Sequence, residues 1–225
     1  MTELDGRVVL IAGATSASGL AAARALASAG ARVIAVGHDP VKLGDLAASV
    51  PGIATEVCDL TDEPDVGALA DRVHDAIGPV DGILHLVGGW RGGGGLAGQS
   101  DDDYRFLERS FTALRHISRA FDADLRASEA ARLAVVSSTA VARPIAGGAN
   151  YAAVKAATEA WTRAVAQGFA KAARDRGEPL RAAAAIYRVK ALNGLEARLA
   201  ASFVDLWSTD AADINDTVID LVAGA

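Results

Sequence analysis

The sequence predicts one α/β domain over residues 1–225, a doubly wound parallel sheet of seven strands with helices on both faces. Three observations predict it: short apolar runs recur along the whole chain, Ala-rich helix-like stretches separate them, and the first run leads into a turn of small residues. No shift in composition marks a linker between domains.

The strands are read in order as RVVLIAG (7–13), RVIAV (32–36), IATEV (53–57), GILHLV (82–87), RLAVVS (132–137), RAAAAI (181–186) and TVIDLV (217–222). Stretches such as LAAARALASAG (20–30) and EPDVGALADRVHDAI (63–77) are long enough to be the crossover helices that parallel strands require. Gly30 stands where a helix end favours glycine, and Pro64 where a helix start favours proline. The sixth run is almost all alanine and could be helix; the β/α alternation assigns it to a strand. Hydrophobic residues make up 51% of the chain and aromatic ones 5%, so Ala, Val, Leu and Ile must fill the core.

Composition also narrows the partners. With 22 Lys plus Arg against 28 Asp plus Glu, the formal charge of −6 opposes extended contact with a nucleic-acid backbone. The one cysteine, Cys58, excludes an intrachain disulfide framework, and no Cys/His cluster has metal-ligand spacing, so no metal is expected. The start MTELDGRVVLIAG is acidic where a signal peptide is basic, and no apolar run approaches the roughly 20 residues that span a bilayer. A cytoplasmic protein without a membrane partner is expected.

The stretch LIAGATSASGLAAARAL runs from strand through a Gly/Ser/Ala turn into helix, an arrangement that aims free N–H groups at a phosphate. Gly13 and Gly19 allow the tight turn and close approach; Ala17 stands where many such loops have a third glycine. Close packing of helix on strand also produces such turns without any ligand. After the second strand the chain reads VGHDP, where a dinucleotide-binding protein meets the adenosine ribose. Gly37 supplies no acid for a ribose hydroxyl. His38 could help hold a 2′-phosphate, with Asp39 offsetting it, and the balance leans to NADP over NAD. Asp59 and Leu60, past the third strand, are placed to meet adenine; Asp59 reads equally as a helix cap before TDEP.

SSTAVARPIAGGANYAAVK carries the chemistry. Tyr151 and Lys155 are four residues apart and share one helix face, while Ser138 lies 13 residues before the tyrosine at a strand end. A free phenol, with a pKa of roughly 10, exchanges protons poorly at neutral pH, and a nearby cation stabilises the phenolate. Tyr151 could then protonate a carbonyl oxygen as hydride reaches the carbon, with Ser138 hydrogen-bonding the same oxygen.

Taken together, these residues resemble the short-chain dehydrogenase/reductase family over nearly the whole chain. The resemblance implies a Rossmann-like fold and an NAD(P)-dependent oxidoreductase with Ser138, Tyr151 and Lys155 as catalytic residues, Lys155 also holding the nicotinamide ribose hydroxyls. It implies a cofactor site of Gly13, Ser16, Ala17, Ser18, Gly19, His38, Asp59, Leu60, Val87, Gly88, Gly89 and Lys155. It implies pairing of subunits through the helices at 102–126 and 150–175, hence a homodimer or homotetramer. The segment LVGGWRGG (86–93) is locally similar to dihydropteridine reductases. The sequence departs from the family where HLVG replaces Asn-Asn-Ala-Gly, where Ser110 takes the place of an asparagine, and where Tyr187 and Arg188 replace the Pro-Gly that precedes the nicotinamide grip. The stretch 189–206 is short for a substrate lid.

The loop GGWRGGGGLAGQS (88–100) is read in two ways: as a cover that stacks Trp90 on a flat substrate ring and brings Arg91 to a polar or anionic group, or as a flexible linker with its tryptophan packed on the body. His85 is read as a core or strand-end residue, His74 and His116 as helix-surface residues, and Trp161 and Trp207 as packing. Three functions are weighed. A reductase or dehydrogenase acting on a carbonyl, imine or pterin-like small molecule accounts for the retained Ser138, Tyr151 and Lys155. A dinucleotide-binding protein with little catalysis would account for the altered positions. An S-adenosylmethionine-dependent transferase on a similar sheet leaves the Tyr/Lys pair unexplained.

Overall fold

The computed structural model describes residues 4–221; residues 1–3 of the acidic start and Val222 of the seventh run lie outside them. Seven parallel strands form one sheet in the order β3-β2-β1-β4-β5-β6-β7: β1 Val8–Ala12, β2 Arg32–Gly37, β3 Ala54–Val57, β4 Gly82–His85, β5 Arg132–Ser138, β6 Ala183–Val189 and β7 Thr217–Asp220. The helices are α1 Ala17–Ser28, α2 Pro40–Ser49, α3 Glu63–Ala76, α4 Asp101–Ala120, α5 Asp122–Ala127, α6 Ala149–Arg176, α7 Glu196–Asp205 and α8 Ala211–Ile214. The Ala-rich sixth run is a strand, in register with β5 from Arg132↔Ala183 to Ser138↔Val189. Small side chains suit a strand covered on both faces, because Ala184 and Ala185 let helices approach closely.

Side chains of β1 alternate between two cores. Val9 and Ile11 face Leu26 of α1, Leu43 of α2 and Phe203 of α7. Val8, Leu10 and Ala12 face Leu69 of α3, Leu114 of α4 and Phe169 of α6. The strand order reverses between β1 and β4, so the turns after those strands diverge and open a crevice at their C-terminal ends. Asp62 caps α3 by accepting from the Asp65 N–H at 2.9 Å, with Pro64 behind it in the first turn. Among the described residues, no helix is long and apolar enough to cross a membrane.

Candidate active site

The turn from β1 into α1 is fixed by close approach. Gly13 has φ +81°, and a Cβ there would lie 2.9 Å from the Val87 nitrogen; one at Gly19 would lie 1.9 Å from the Ala14 carbonyl oxygen. Neither position admits a side chain. Ser16 caps α1, its Oγ accepting from the Gly19 N–H at 3.1 Å. Ala17, the first residue of α1, is exposed, so its methyl group needs no room inside the turn.

Beside this turn a crevice of about 280 Å³ is lined by Gly13, Ser16, His38, Asp59, Leu60, Val87 and Gly88. Asp59 Oδ1 accepts from the Thr61 N–H at 2.9 Å and the Thr61 hydroxyl at 2.6 Å, which holds the carboxyl below its ordinary range; Arg109, 3.5 Å from Oδ2, adds to this. The helix-cap role falls to Asp62 and not to Asp59. Asp39 caps α2, its Oδ1 accepting from the Val41 and Lys42 N–H groups. A side chain at Gly37 would place its Cβ 3.0 Å from Thr15 Cγ2, so an acid there would be crowded. Cys58 also lines this crevice; burial and then Asp65 push its thiol up to about 12.

The crevice continues into a cavity of about 910 Å³ that brings Ser138, Tyr151 and Lys155 together with Ser16, Ser18, Gly88 and Gly89. Tyr151 lies in the first turn of α6, and the Lys155 ammonium is 5.8 Å from the centre of its ring. Lys155 Nζ donates to the Val136 carbonyl oxygen at 2.8 Å, and burial pushes the ammonium down to about 8. Ser138 Oγ accepts from the Ala140 N–H at 3.1 Å, which leaves the hydroxyl proton available to an oxygen in the cavity.

The altered family positions have local explanations. His85 is buried at the end of β4, its Nε2–H donating to the Ser110 carbonyl oxygen at 3.0 Å. Burial first and Lys155 second push the imidazole down to about 3, so it is neutral and Nδ1 is a bare acceptor. Ser110 turns its hydroxyl back to Leu107 O of its own helix and provides no relay from its side chain. Tyr187 and Arg188 do not line the cavity: β6 runs on to Val189, Tyr187 is fully buried in the core, and Arg188 grips Glu159 at 2.9 Å. The residues after β6 that reach the cavity are Lys190, Ala191, Leu192 and Asn193, four positions not singled out by the sequence.

The Gly-rich loop is tied down. Gln99 Nε2 donates to the carbonyls of Gly93, Gly95 and Gly147, and its Oε1 accepts from the Asn150 N–H beside Tyr151. Gly93 N–H adds a bond to Gly147 O at 2.7 Å, and a Cβ at Gly92 would lie 2.4 Å from that oxygen. This replaces the flexible-linker reading. Trp90 is 63% exposed and lines the cavity mouth. Arg91 does not: its guanidinium sits 4.3 Å over the Phe106 ring and 4.0 Å from Asp103. His116 is buried, with Nδ1 3.3 Å from Leu60 O, whereas His74 is on the surface against Asp124. Trp207 is buried and packs edge-on to Phe203 at 5.2 Å.

Residues 7–173 match the family model described as short chain dehydrogenase. The chain is 31% identical over 174 residues, 75% of its length, to dehydrogenase/reductase SDR family member 6 of Danio rerio. It is 27% identical over 165 residues, 71% of its length, to 2,3-dihydro-2,3-dihydroxybenzoate dehydrogenase of Bacillus subtilis. These alignments span 67% and 63% of the relatives' own lengths, and another spans 39% of an oxidoreductase of Staphylococcus haemolyticus. Among solved structures, an NAD⁺-bound xylitol dehydrogenase superposes with a TM-score of 0.85 at 18% identity, covering 98% of this chain and 99% of that one. An NADPH-bound short chain oxidoreductase of Pseudomonas aeruginosa with an atypical catalytic center superposes with a TM-score of 0.81 at 20% identity, covering 96% of each chain.

Proposed function

Since the chain belongs to the short-chain dehydrogenase/reductase family, we propose that it is an NAD(P)-dependent oxidoreductase acting on a carbonyl, imine or pterin-like small molecule, or on the corresponding reduced compound. The observation that carries the proposal is the convergence of Ser138, Tyr151 and Lys155 on one cavity that runs back to the turn after β1. The residues fit a dinucleotide: Gly13 and Gly19 leave a cradle that a Cβ would fill, and the start of α1 favours a phosphate there. Asp59 and Leu60 would meet the adenine, and His38, without an acid at position 37, favours NADP.

When bound, the nicotinamide supplies or accepts the hydride. In reduction, as the carbonyl carbon gains that hydride, Tyr151 gives its phenolic proton to the carbonyl oxygen, so C=O becomes HC–OH. Ser138 donates to the same oxygen and orients it. Lys155 has two N–H groups beyond the one spent on Val136 O; these would hold ribose hydroxyls, and its charge stabilises the phenolate left on Tyr151. In oxidation the proton moves the other way. The same proposal includes a cytoplasmic location and a homodimer or homotetramer.

Fluorescence titration with NADPH and NADH, followed by assay of carbonyl and pterin substrates, tests it. Micromolar binding and turnover lowered about 10²–10⁴-fold in Tyr151→Phe are expected. Binding with no turnover would leave a dinucleotide-binding protein without catalysis, and no binding of either coenzyme would defeat the reading.

A further inference from the structure

The cavity differs in charge from the chain that builds it. The protein carries −6 overall, yet no Asp or Glu lines the cavity, while Arg143, Lys155 and Lys190 do. Lys155 is buried and bonded to Val136 O. Arg143 and Lys190 are exposed, and neither is within ion-pair distance of a carboxylate among the described residues. Arginines elsewhere show the contrast: Arg91, Arg109 and Arg176 each have an acidic neighbour.

Apolar surface stands next to these cations. Trp90 and Ile145 are 63% and 73% exposed, two of the four most exposed large hydrophobic side chains among the described residues, and both line the cavity. Arg143 and Ile145 lie on the segment between Ser138 and Tyr151, and the bonds to Gly147 hold the Trp90 loop against that segment. Exposed aromatic surface is costly in water and is recovered when a flat apolar body covers it. A guanidinium is a planar fork that matches a carboxylate with two parallel hydrogen bonds. The turn after β1, where a dinucleotide's phosphates would sit, reaches this cavity through Ser16 and Ser18, whereas Arg143 comes from the segment after β5, with β4 between the two strands.

We propose that the substrate is a flat, largely apolar carbonyl compound bearing a carboxylate, or its reduced counterpart, with the ring on Trp90 and Ile145 and the carboxylate on Arg143. This rests on the oxidoreductase reading for the reaction but not for the binding. Binding is therefore what the test reads. Isothermal titration calorimetry of the full chain at low salt would compare 4-acetylbenzoate with methyl 4-acetylbenzoate, in the presence of NADP⁺ and alone. The carboxylate is expected to bind roughly tenfold more tightly than the ester, Arg143→Gln to remove the preference, and Arg143→Lys to restore part of it. Equal affinity for the two, a preference that survives Arg143→Gln, or no binding of either at millimolar concentration would overturn the proposal. Titrations with NADP⁺ and NAD⁺ alone separate these outcomes from failure of the oxidoreductase reading, which would show as no coenzyme binding.

Discussion

Lys155 holds a positive charge where its surroundings oppose one. Burial pushes the ammonium down to about 8, against 10.5 for a free lysine, so between those values the unfolded chain binds a proton that the folded one releases. The cost of burying the charge is fully present below pH 8 and fades as pH rises through 10.5. Lys155→Met should then be more stable than the parent by about 3 kcal/mol at pH 7, with the gap shrinking to about 1 kcal/mol by pH 10, as urea unfolding at the two pH values would show. A gap of the same size at both would mean that the charge is not its source. His85 contributes no such change between pH 7 and 10; its own cost appears as pH falls through 6.5, where the unfolded imidazole takes up a proton that the folded one does not. One turn beyond Lys155, buried Glu159 accepts from Ser137 Oγ at 2.7 Å and pairs with Arg188, tying α6 to β5, which carries Ser138, and to β6. The sequence exposed the Ser, Tyr and Lys by type and spacing. It did not expose this support, because Glu159 and Arg188 are 29 residues apart and meet only once β6 lies beside β5.

Among the elements, the loop over 88–100 takes four of its bonds to its surroundings and to itself from one side chain, Gln99. Gln99 reaches the loop itself, Gly147 in the turn before α6, and the first turn of α6 next to Tyr151. Replacing it by Leu removes all four bonds. Expected are faster amide exchange over the loop, and a kcat about tenfold lower with coenzyme affinity little changed; exchange and kcat both as in the parent would show that the loop is held by other means. The strand cores were legible as apolar runs, while their ends were not. Leu86 and Val87 read as strand by hydropathy but belong to the segment after β4, and Tyr187 and Arg188, placed beyond the sixth strand by the family resemblance, continue β6. The helix expected over 102–126 breaks at Phe121, whose buried ring anchors the chain between α4 and α5. Gln99 gave no signal because every group it bonds is backbone, which the sequence does not distinguish from any other.

At the scale of the whole molecule, alternation of apolar runs and Ala-rich stretches determined the sheet, since parallel strands leave few other topologies. What lines the cavity was less legible, because Arg143, Ile145 and Lys190 come from connecting segments with no periodicity to read. The outer faces of α4 and α6 carry Phe111 and Trp161, in edge-on contact at 6.0 Å and only partly buried, with Val165 a turn away. If these faces pair two copies of the chain, light scattering should give two or four times the chain mass, and Trp161→Glu should lower it to one; a single-chain mass for the parent would end the oligomer reading. The crevice beside β3 has a further, practical meaning. Its Cys58 is the chain's single thiol, kept protonated to about pH 12, and it is the thiolate that reacts with alkylating and oxidising agents. With Cys58 also only 2% exposed, the native chain should react slowly with maleimides, and one cysteine introduced at an exposed position such as Leu96 would take up a dye or spin label first.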